Sequence, residues 1–486
     1  MKMLIDSKWV DAVSGKTRDV LAPADGTTID TVPEGAAADA EKAIEAAVAA
    51  KRRMRAFPAH ARARVLIDVA ARMERECEEL APLLARENGK PVNQTREEVF
   101  AAARIFRGFG EEAKRLFGRT SPLDNVPGME NHFAMTIREP VGVVGAIVPF
   151  NYPVELYAHK AAPAIAGGNA TVVKPPNDCP LTLLKIAQMI EEAGLPRGGH
   201  QMVTGAGSEI GTVLADSEHI DLITLTGSTR VGQDISKRAS KSLKKVLLEL
   251  GGNDPCIICE DADLDRAAEA VIAGRLARGN GQICCAVKRV YAHASVAERF
   301  ADVLARKTRE LKVGDPLLEE TDVGPLINED AAKTVEAAIQ DAVKRGATVR
   351  AGGTRTGTFV DPTVMTGVTA DSLVLTEETF GPVIPIVPFD TIDEAIEMAN
   401  DSDYGLQGAV FTNDISTAMN VAHRLECGGV IVNWSSAVRV ENLPFGGRKL
   451  TGHGAESIHD TLLEMTEVKT VILHDALAAY NASRTE

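Results

Sequence analysis

Over residues 36 to about 56, 61 to about 88 and 97 to about 116, Ala, Leu and Val recur at helical spacing between charged positions, which predicts amphipathic helices. A short polar strand-and-turn lead-in, residues 1–30, precedes them. The segment 121–140 is polar, is broken by Pro122, Pro127, Gly128 and Pro140, and alternates only from His132 to Ile137. It reads as a connector or an extended hairpin. The texture then changes. Short apolar runs at 141–148, 171–174, 201–204, 222–225 and 246–250 alternate with helical stretches at 181–193, from near 208 and from about 228. Buried strands alternating with helices predict βαβ units on a mostly parallel sheet. A second α/β series opens with a helix over 264–276 and runs to about 430. The late stretch 467–473 predicts a strand that must pair with something, the edge of another subunit being one candidate.

Composition narrows the class. The 486 residues are 45% hydrophobic and 25% charged, which suits a folded protein of two or three domains, and with only 4% aromatics the core must rest on Ala, Val, Leu and Ile. A net charge of −15 argues against a nucleic-acid partner, while a local basic pocket for a small anion stays open. No apolar run approaches the ~20 residues of a membrane span, and the N-terminus lacks a secretory pattern. Seven scattered cysteines are too few for a disulfide scaffold. A cytoplasmic setting is expected, with no membrane partner.

Several residues could carry chemistry. Gly205-Ala206-Gly207 and Thr226-Gly227-Ser228 each lie between a predicted strand and a predicted helix, where glycine permits a tight turn and helix N–H groups face an anion. Glycines that merely cap and pack are the plain alternative. Cys284, after a Gly279-Asn280-Gly281 turn, is expected near a helix start, where the dipole would favour its thiolate; a buried cysteine acting as a small hydrophobe is the plain alternative. Glu249 ends an apolar strand as either a base or a paired structural acid. Asn151, in Pro149-Phe150-Asn151-Tyr152-Pro153, could donate to an oxyanion or simply form a turn. Cys256 and Cys259 have a redox- or metal-like spacing, but three residues apart on a strand they face opposite ways, so no metal site is expected.

Taken in order, Pro149-Phe150-Asn151-Tyr152-Pro153, Lys174-Pro175-Pro176, Thr226-Gly227-Ser228-Thr229 and Leu248-Glu249-Leu250-Gly251-Gly252 match one family. Gly281-Gln282-Ile283-Cys284, Glu377-Glu378-Thr379-Phe380-Gly381-Pro382 and Pro444-Phe445-Gly446-Gly447 continue the match. The chain resembles the aldehyde dehydrogenase superfamily over nearly its whole length. The stretch from Gly281 to Arg289 is similar to the branch with succinate-semialdehyde, lactaldehyde and non-phosphorylating glyceraldehyde-3-phosphate dehydrogenases.

The resemblance implies an α/β fold of two Rossmann-like domains and a small β oligomerisation arm. The cofactor-binding domain would take residues 1–120 and 141–250 with a return at 450–465. The catalytic domain would take 251–449, and the arm 121–140 with a strand and tail over 466–486. A homodimer or homotetramer is implied. Cys284 would be the nucleophile, Asn151 the oxyanion donor and Glu249 the base that activates water against a thioester. Relatives that transfer the acyl group to coenzyme A lack this glutamate, so hydrolysis to the acid is expected. For the nicotinamide cofactor the resemblance gives Pro149, Phe150, Lys174, Gly207, Gly227, Ser228, Leu250, Glu378 and Phe380. Asn177 stands where NAD-preferring relatives often carry a glutamate, which predicts NADP with NAD tolerated; strict NAD use is the alternative. Around the aldehyde stand Tyr152, Ile283, Cys285, Trp434 and Phe445, with His159, Arg439 and Arg107 as candidates to hold an anionic group. A small polar or anionic aldehyde is the implied substrate. A CoA-acylating enzyme and a non-catalytic relative are the rival readings.

Overall fold

The computed structural model describes residues 1–484; residues 485 and 486 of the expected C-terminal tail lie outside the described residues. Runs such as Val143–Ile147 and Leu222–Thr226 are apolar at consecutive positions, so both faces of each strand need cover. Five of these strands run parallel, in the order His200–Met202, Ala170–Lys174, Val143–Ile147, Leu222–Thr226, Lys245–Glu249. From the central strand the chain winds outward first to one side and then to the other, so right-handed crossovers place the helices on opposite faces. Met3–Ile5 and Lys8–Val10 extend one edge antiparallel. Gly452–His453 closes the other edge, antiparallel beside Lys245–Glu249. Val143–Ile147 and Leu222–Thr226 pair in parallel, but the connections that follow them run toward opposite edges of the sheet, which opens a crevice beyond their carboxyl ends.

A second sheet, from Thr348–Ala351 at one edge to Gly429–Val432 at the other, has Val287–His293 and Asp254–Ile258 at its centre and is parallel except at the Thr348–Ala351 edge. Cys256 and Cys259 sit in separate apolar clusters on the two faces of this sheet.

Three helical expectations change in detail. The stretch 61–88 forms two helices, Ala59–Arg75 and Cys77–Asn88, with Glu76 leaving helical geometry between them. The third begins earlier than expected, at Val92, and runs to Glu112. The stretch 264–276 is α-helical only over Leu264–Val271 and then widens to a π-turn at Ile272–Ala277. Such turns interrupt a helix where the chain must be re-aimed.

The segment after residue 120 is a hairpin-like element. Phe133–Pro140 pairs with Thr120–Pro122 on one side and antiparallel with Thr466–Leu473 on the other, from Thr466 opposite Pro140 to Leu473 opposite Phe133. The late strand therefore pairs within its own chain. It forms the edge of that three-stranded sheet and leaves Val468, Ile472 and Leu473 exposed.

Candidate active site

The crevice is lined by residues that follow the strand ends. After Val143–Ile147 the chain passes through Pro149, Phe150 and Asn151 and turns into the helix Pro153–Gly167, which starts on a proline whose missing N–H costs nothing there. This turn is held from behind. Lys90, 1% exposed, pairs with the fully buried Glu98 and donates to the Asn151 carbonyl at 2.7 Å. Glu98 accepts the first free N–H groups of the helix, from Val154 at 2.9 Å and Glu155 at 3.3 Å. Asn88 donates to the Phe150 carbonyl at 2.6 Å. Thus the backbone of Asn151 is fixed while its side chain lines the cavity.

Cys284 reaches the same cavity from the other sheet. Beyond the π-turn, Gly279, Asn280 and Gly281 take φ of 59, 54 and 75°. A Cβ on Gly281 would lie 2.4 Å from the Gly381 carbonyl carbon, so glycine is required on two grounds. Asn280 accepts the left-handed conformation and ties it down, donating to the carbonyls of Gly89 at 3.0 Å and Pro325 at 2.9 Å while accepting from the Gly324 N–H at 2.8 Å. Contrary to the expectation of a helix start, Cys284 lies in a turn that leads directly into the strand Val287–His293. Its electrostatics are set by burial and by neighbouring side chains. A hydrogen bond with Cys285 raises the Cys284 thiol, burial adds to this, and Lys288 pulls the other way. The same bond lowers Cys285 to about 7, against burial and with help from Arg278, Lys288 and Arg439.

Glu249, the last residue of Lys245–Glu249, is buried, and its charge reaches both cysteines. Burial, and then the charge of Glu456, push its carboxyl well above the usual range, while Arg439 and Lys160 oppose the shift. A carboxylate so destabilised takes up a proton readily. Glu456 itself bridges Lys160 and Arg439, each at 2.9 Å. Burial alone would raise it, but the two cations outweigh burial and hold it well below the usual carboxylate range. Arg439 also lies over the Phe445 ring, 4.6 Å from its centroid. It is therefore partnered by Glu456, not by Glu441, which pairs with Arg104 at 3.3 Å. His159 packs edge-on to Phe109, and among the described residues neither ring nitrogen has a hydrogen-bond partner. Burial and then Arg439 push its pKa well below 6.5, so the imidazole is neutral.

A cavity of about 390 Å³ brings Asn151 and Cys284 together; Pro149, Phe150, Gly227, Ser228, Leu250, Glu378 and Phe380 are among its other walls. Phe150 and Phe380 meet edge to face with centroids 5.9 Å apart. Ser228 occupies the N-cap position of the helix Thr229–Ala239 without a side-chain cap bond, which leaves the helix N–H groups for a ligand. Two strands away, Lys174 donates to the Asn177 side-chain oxygen at 2.8 Å, and a Cβ on Gly207 would lie 3.6 Å from the Lys174 nitrogen. Burial lowers Lys174 to about 8. A crevice where the crossovers part, an uncapped helix start and a nearby ammonium suit a dinucleotide.

Tyr152, Ile283, Cys284, Cys285 and Phe445 pack into one apolar cluster with Ala286 and Leu406. Ser436 donates to the Cys285 carbonyl at 2.8 Å, while Trp434 is 43% exposed. Arg107 is engaged elsewhere, through a two-pronged pair with Glu74 at 2.7 and 2.8 Å. Sequence reasoning missed Arg278, Lys288, Lys160, Glu456 and the Lys90–Glu98 pair. Arg278 is exposed, donates to the Ala437 carbonyl at 2.8 Å and stands 5.6 Å from the Tyr152 ring centre. Lys288 had a legible signal, since with Arg289 it is one of two adjacent charges inside the strand Val287–His293.

The sequence profile of the Aldehyde dehydrogenase family matches residues 9–471. The chain is 43% identical over 436 residues to a 3-sulfolactaldehyde dehydrogenase of Priestia aryabhattai, covering 90% of each chain. It is 38% identical over 475 residues to a lactaldehyde dehydrogenase of Methanocaldococcus jannaschii, covering 97% of this chain and 100% of that one. Among solved structures, an E. coli NADP-dependent enzyme superposes with a TM-score of 0.94 at 36% identity, over 97% of this chain and 98% of that one.

Proposed function

The chain belongs to the aldehyde dehydrogenase family, and we propose that it oxidises a small polar or anionic aldehyde to its carboxylic acid through covalent chemistry on Cys284. The observation that carries this reading is the convergence of Cys284 and Asn151 on one cavity, with the buried Glu249 within electrostatic reach of the thiol. The Cys284 thiolate attacks the aldehyde carbonyl, and the Asn151 amide, on a backbone fixed by Lys90, receives the oxyanion. Phe150, Ser228, Glu378 and Phe380 would hold a nicotinamide nucleotide, which when bound would supply a hydride acceptor, so that the Cys284 adduct, on losing a hydride, would become a thioester. Glu249 then takes a proton from water, the hydroxide adds to the thioester carbonyl, and the acid leaves as Cys284 is regenerated. The raised affinity of Glu249 for a proton suits that step.

Lys174 and Asn177 support NADP as the preferred nucleotide with NAD tolerated, since neither repels a 2′-phosphate and the Asn177 oxygen, spent on Lys174, leaves its amide N–H groups free to donate. The relative's name, 3-sulfolactaldehyde dehydrogenase, favours an anionic substrate. Arg278 is the cation best exposed to meet its charge, with His159 offering a neutral polar contact deeper in. Residues 1–120, 141–250 and 450–465 would bind the nucleotide, and 251–449 would carry the nucleophile. The exposed apolar edge of Thr466–Leu473 supports pairing between copies as a homodimer or homotetramer. The test is nucleotide reduction with succinate semialdehyde, lactaldehyde and benzaldehyde, each with NAD and NADP. Aldehyde-dependent reduction that vanishes in Cys284→Ala is expected. A Cys284→Ala protein that turns over normally refutes the reading, and a product trapped only by added coenzyme A points to acyl transfer instead.

A further inference from the structure

Charged side chains inside an apolar strand need partners, and Val287–His293 buries two of them. Arg289 donates to the main-chain carbonyls of Asn253 at 2.9 Å and Ala399 at 2.8 Å, a scaffold role away from the cavity. Lys288, 1% exposed, points the other way. Its ammonium donates to the Gly252 carbonyl at 2.7 Å, to the Glu378 carboxylate at 2.7 Å and to the Cys284 carbonyl. These acceptors use all three N–H donors of an ammonium. The Gly252 N–H donates to the same Glu378 oxygen at 3.1 Å, which closes a ring of contacts. A lysine serving only the fold would need a counter-ion anywhere along the strand. Here the acceptors are the turn just after Glu249, the main chain of Cys284 and the carboxylate expected at the nicotinamide ribose.

We propose that Lys288 is the positioning residue of this site: it locks the turn after Glu249, the Cys284 main chain and Glu378 into one register and keeps a positive charge beside the nucleophile. This rests on the roles assigned above to Cys284 and Glu378. An opposite charge within about 4–6 Å lowers a pKa by roughly 1–3 units, so the ammonium offsets part of what burial costs the thiolate. Fixing Glu378 in advance also removes an ordering cost from nucleotide binding.

The test measures the pH dependence of Cys284 alkylation by iodoacetamide, with the labelled peptide identified by mass spectrometry, and nucleotide affinity by fluorescence titration. Lys288→Met should move the alkylation midpoint up by about one unit or more, slow labelling at neutral pH about tenfold, and weaken nucleotide binding. Because that variant leaves Glu378 without its counter-charge, it is paired with Lys288→Met/Glu378→Gln, which carries no lone charge, compared against Glu378→Gln alone. The same upward shift is expected between those two, with no further loss of nucleotide affinity, because the residues act as one unit. Folded variants that keep the wild-type alkylation midpoint and nucleotide affinity would overturn the proposal and leave Lys288 a scaffold residue. Turnover by Cys284→Ala would instead remove the functional reading beneath it, so the two failures are distinct.

Discussion

If the substrate is anionic, its charge must be met by a cation with a free donor, and the structure separates the candidates. Arg439 is held by Glu456 and stacked on Phe445, and Arg107 is held by Glu74. Arg278 has five N–H donors, gives one to the Ala437 carbonyl and also bonds the Tyr152 side chain, so donors remain for a ligand beside Tyr152. A hydrogen bond to a charged group is worth about 1.5–3 kcal/mol, and because Arg278 is exposed the lower figure applies, about tenfold in kcat/KM at 1.36 kcal/mol per decade. The assay compares succinate semialdehyde with butanal, which match in carbon number and differ chiefly in the carboxylate. Arg278→Met should lose about tenfold on the semialdehyde and stay within about twofold on butanal. Arg439→Met, which frees Glu456 beside Glu249, should impair both aldehydes alike. Equal losses on the two aldehydes in Arg278→Met would refute the argument, because they would mean the arginine shapes the loop at Ala437 and not the substrate's charge.

Glu249→Gln should reduce one nucleotide per site in a burst and then stall as the thioester accumulates, and steady turnover at the wild-type rate would exclude Glu249 as the base. Asn177→Glu should weaken NADP binding at least about tenfold while sparing NAD, by like-charge repulsion of the 2′-phosphate, as a fluorescence titration with each nucleotide would read. For the wild type the NADP preference should shrink as pH rises through about 8, where Lys174 gives up its proton and its charge. His200, buried between Tyr157 at 2.7 Å and Thr171 at 2.6 Å, has its pKa lowered by burial to about 3. Below the ordinary 6.5 the unfolded chain takes up a proton that the folded one refuses. Stability is therefore undiminished above pH 6.5 and falls toward pH 3 by at most ~1.4 kcal/mol per unit, and urea midpoints for wild type and His200→Asn across that range would show the difference in slope.

What could be read from the sequence and what could not divides along physical lines. The βαβ run was legible because each buried strand announces itself as consecutive apolar residues, and the order of those strands then dictates a crevice at the end of Val143–Ile147. Asn151, Glu249 and Cys284 were visible because each stands where an apolar run or a glycine turn stops. The error at Cys284 has the same root: glycines at 279 and 281 mark a sharp turn equally well whether a helix or a strand follows, and only the β-branched and aromatic residues Val287, Val290 and Tyr291 favour the strand. The charges were harder to place. Lys90 with Glu98, Lys160 with Glu456 and Lys288 with Glu378 are joined across 8, 296 and 90 residues, so no local pattern pairs them. Yet each lysine is buried, and a buried ammonium without a counter-charge costs several kcal/mol. At these three positions the counter-charge is a carboxylate, which the sequence does not identify, whereas Lys174 is met by the Asn177 amide oxygen and its pKa falls instead. The three carboxylates lie behind Asn151, beside Glu249 and beside Cys284. The cost of burying each ion is accepted at the points where the groups proposed for catalysis would have to be held still.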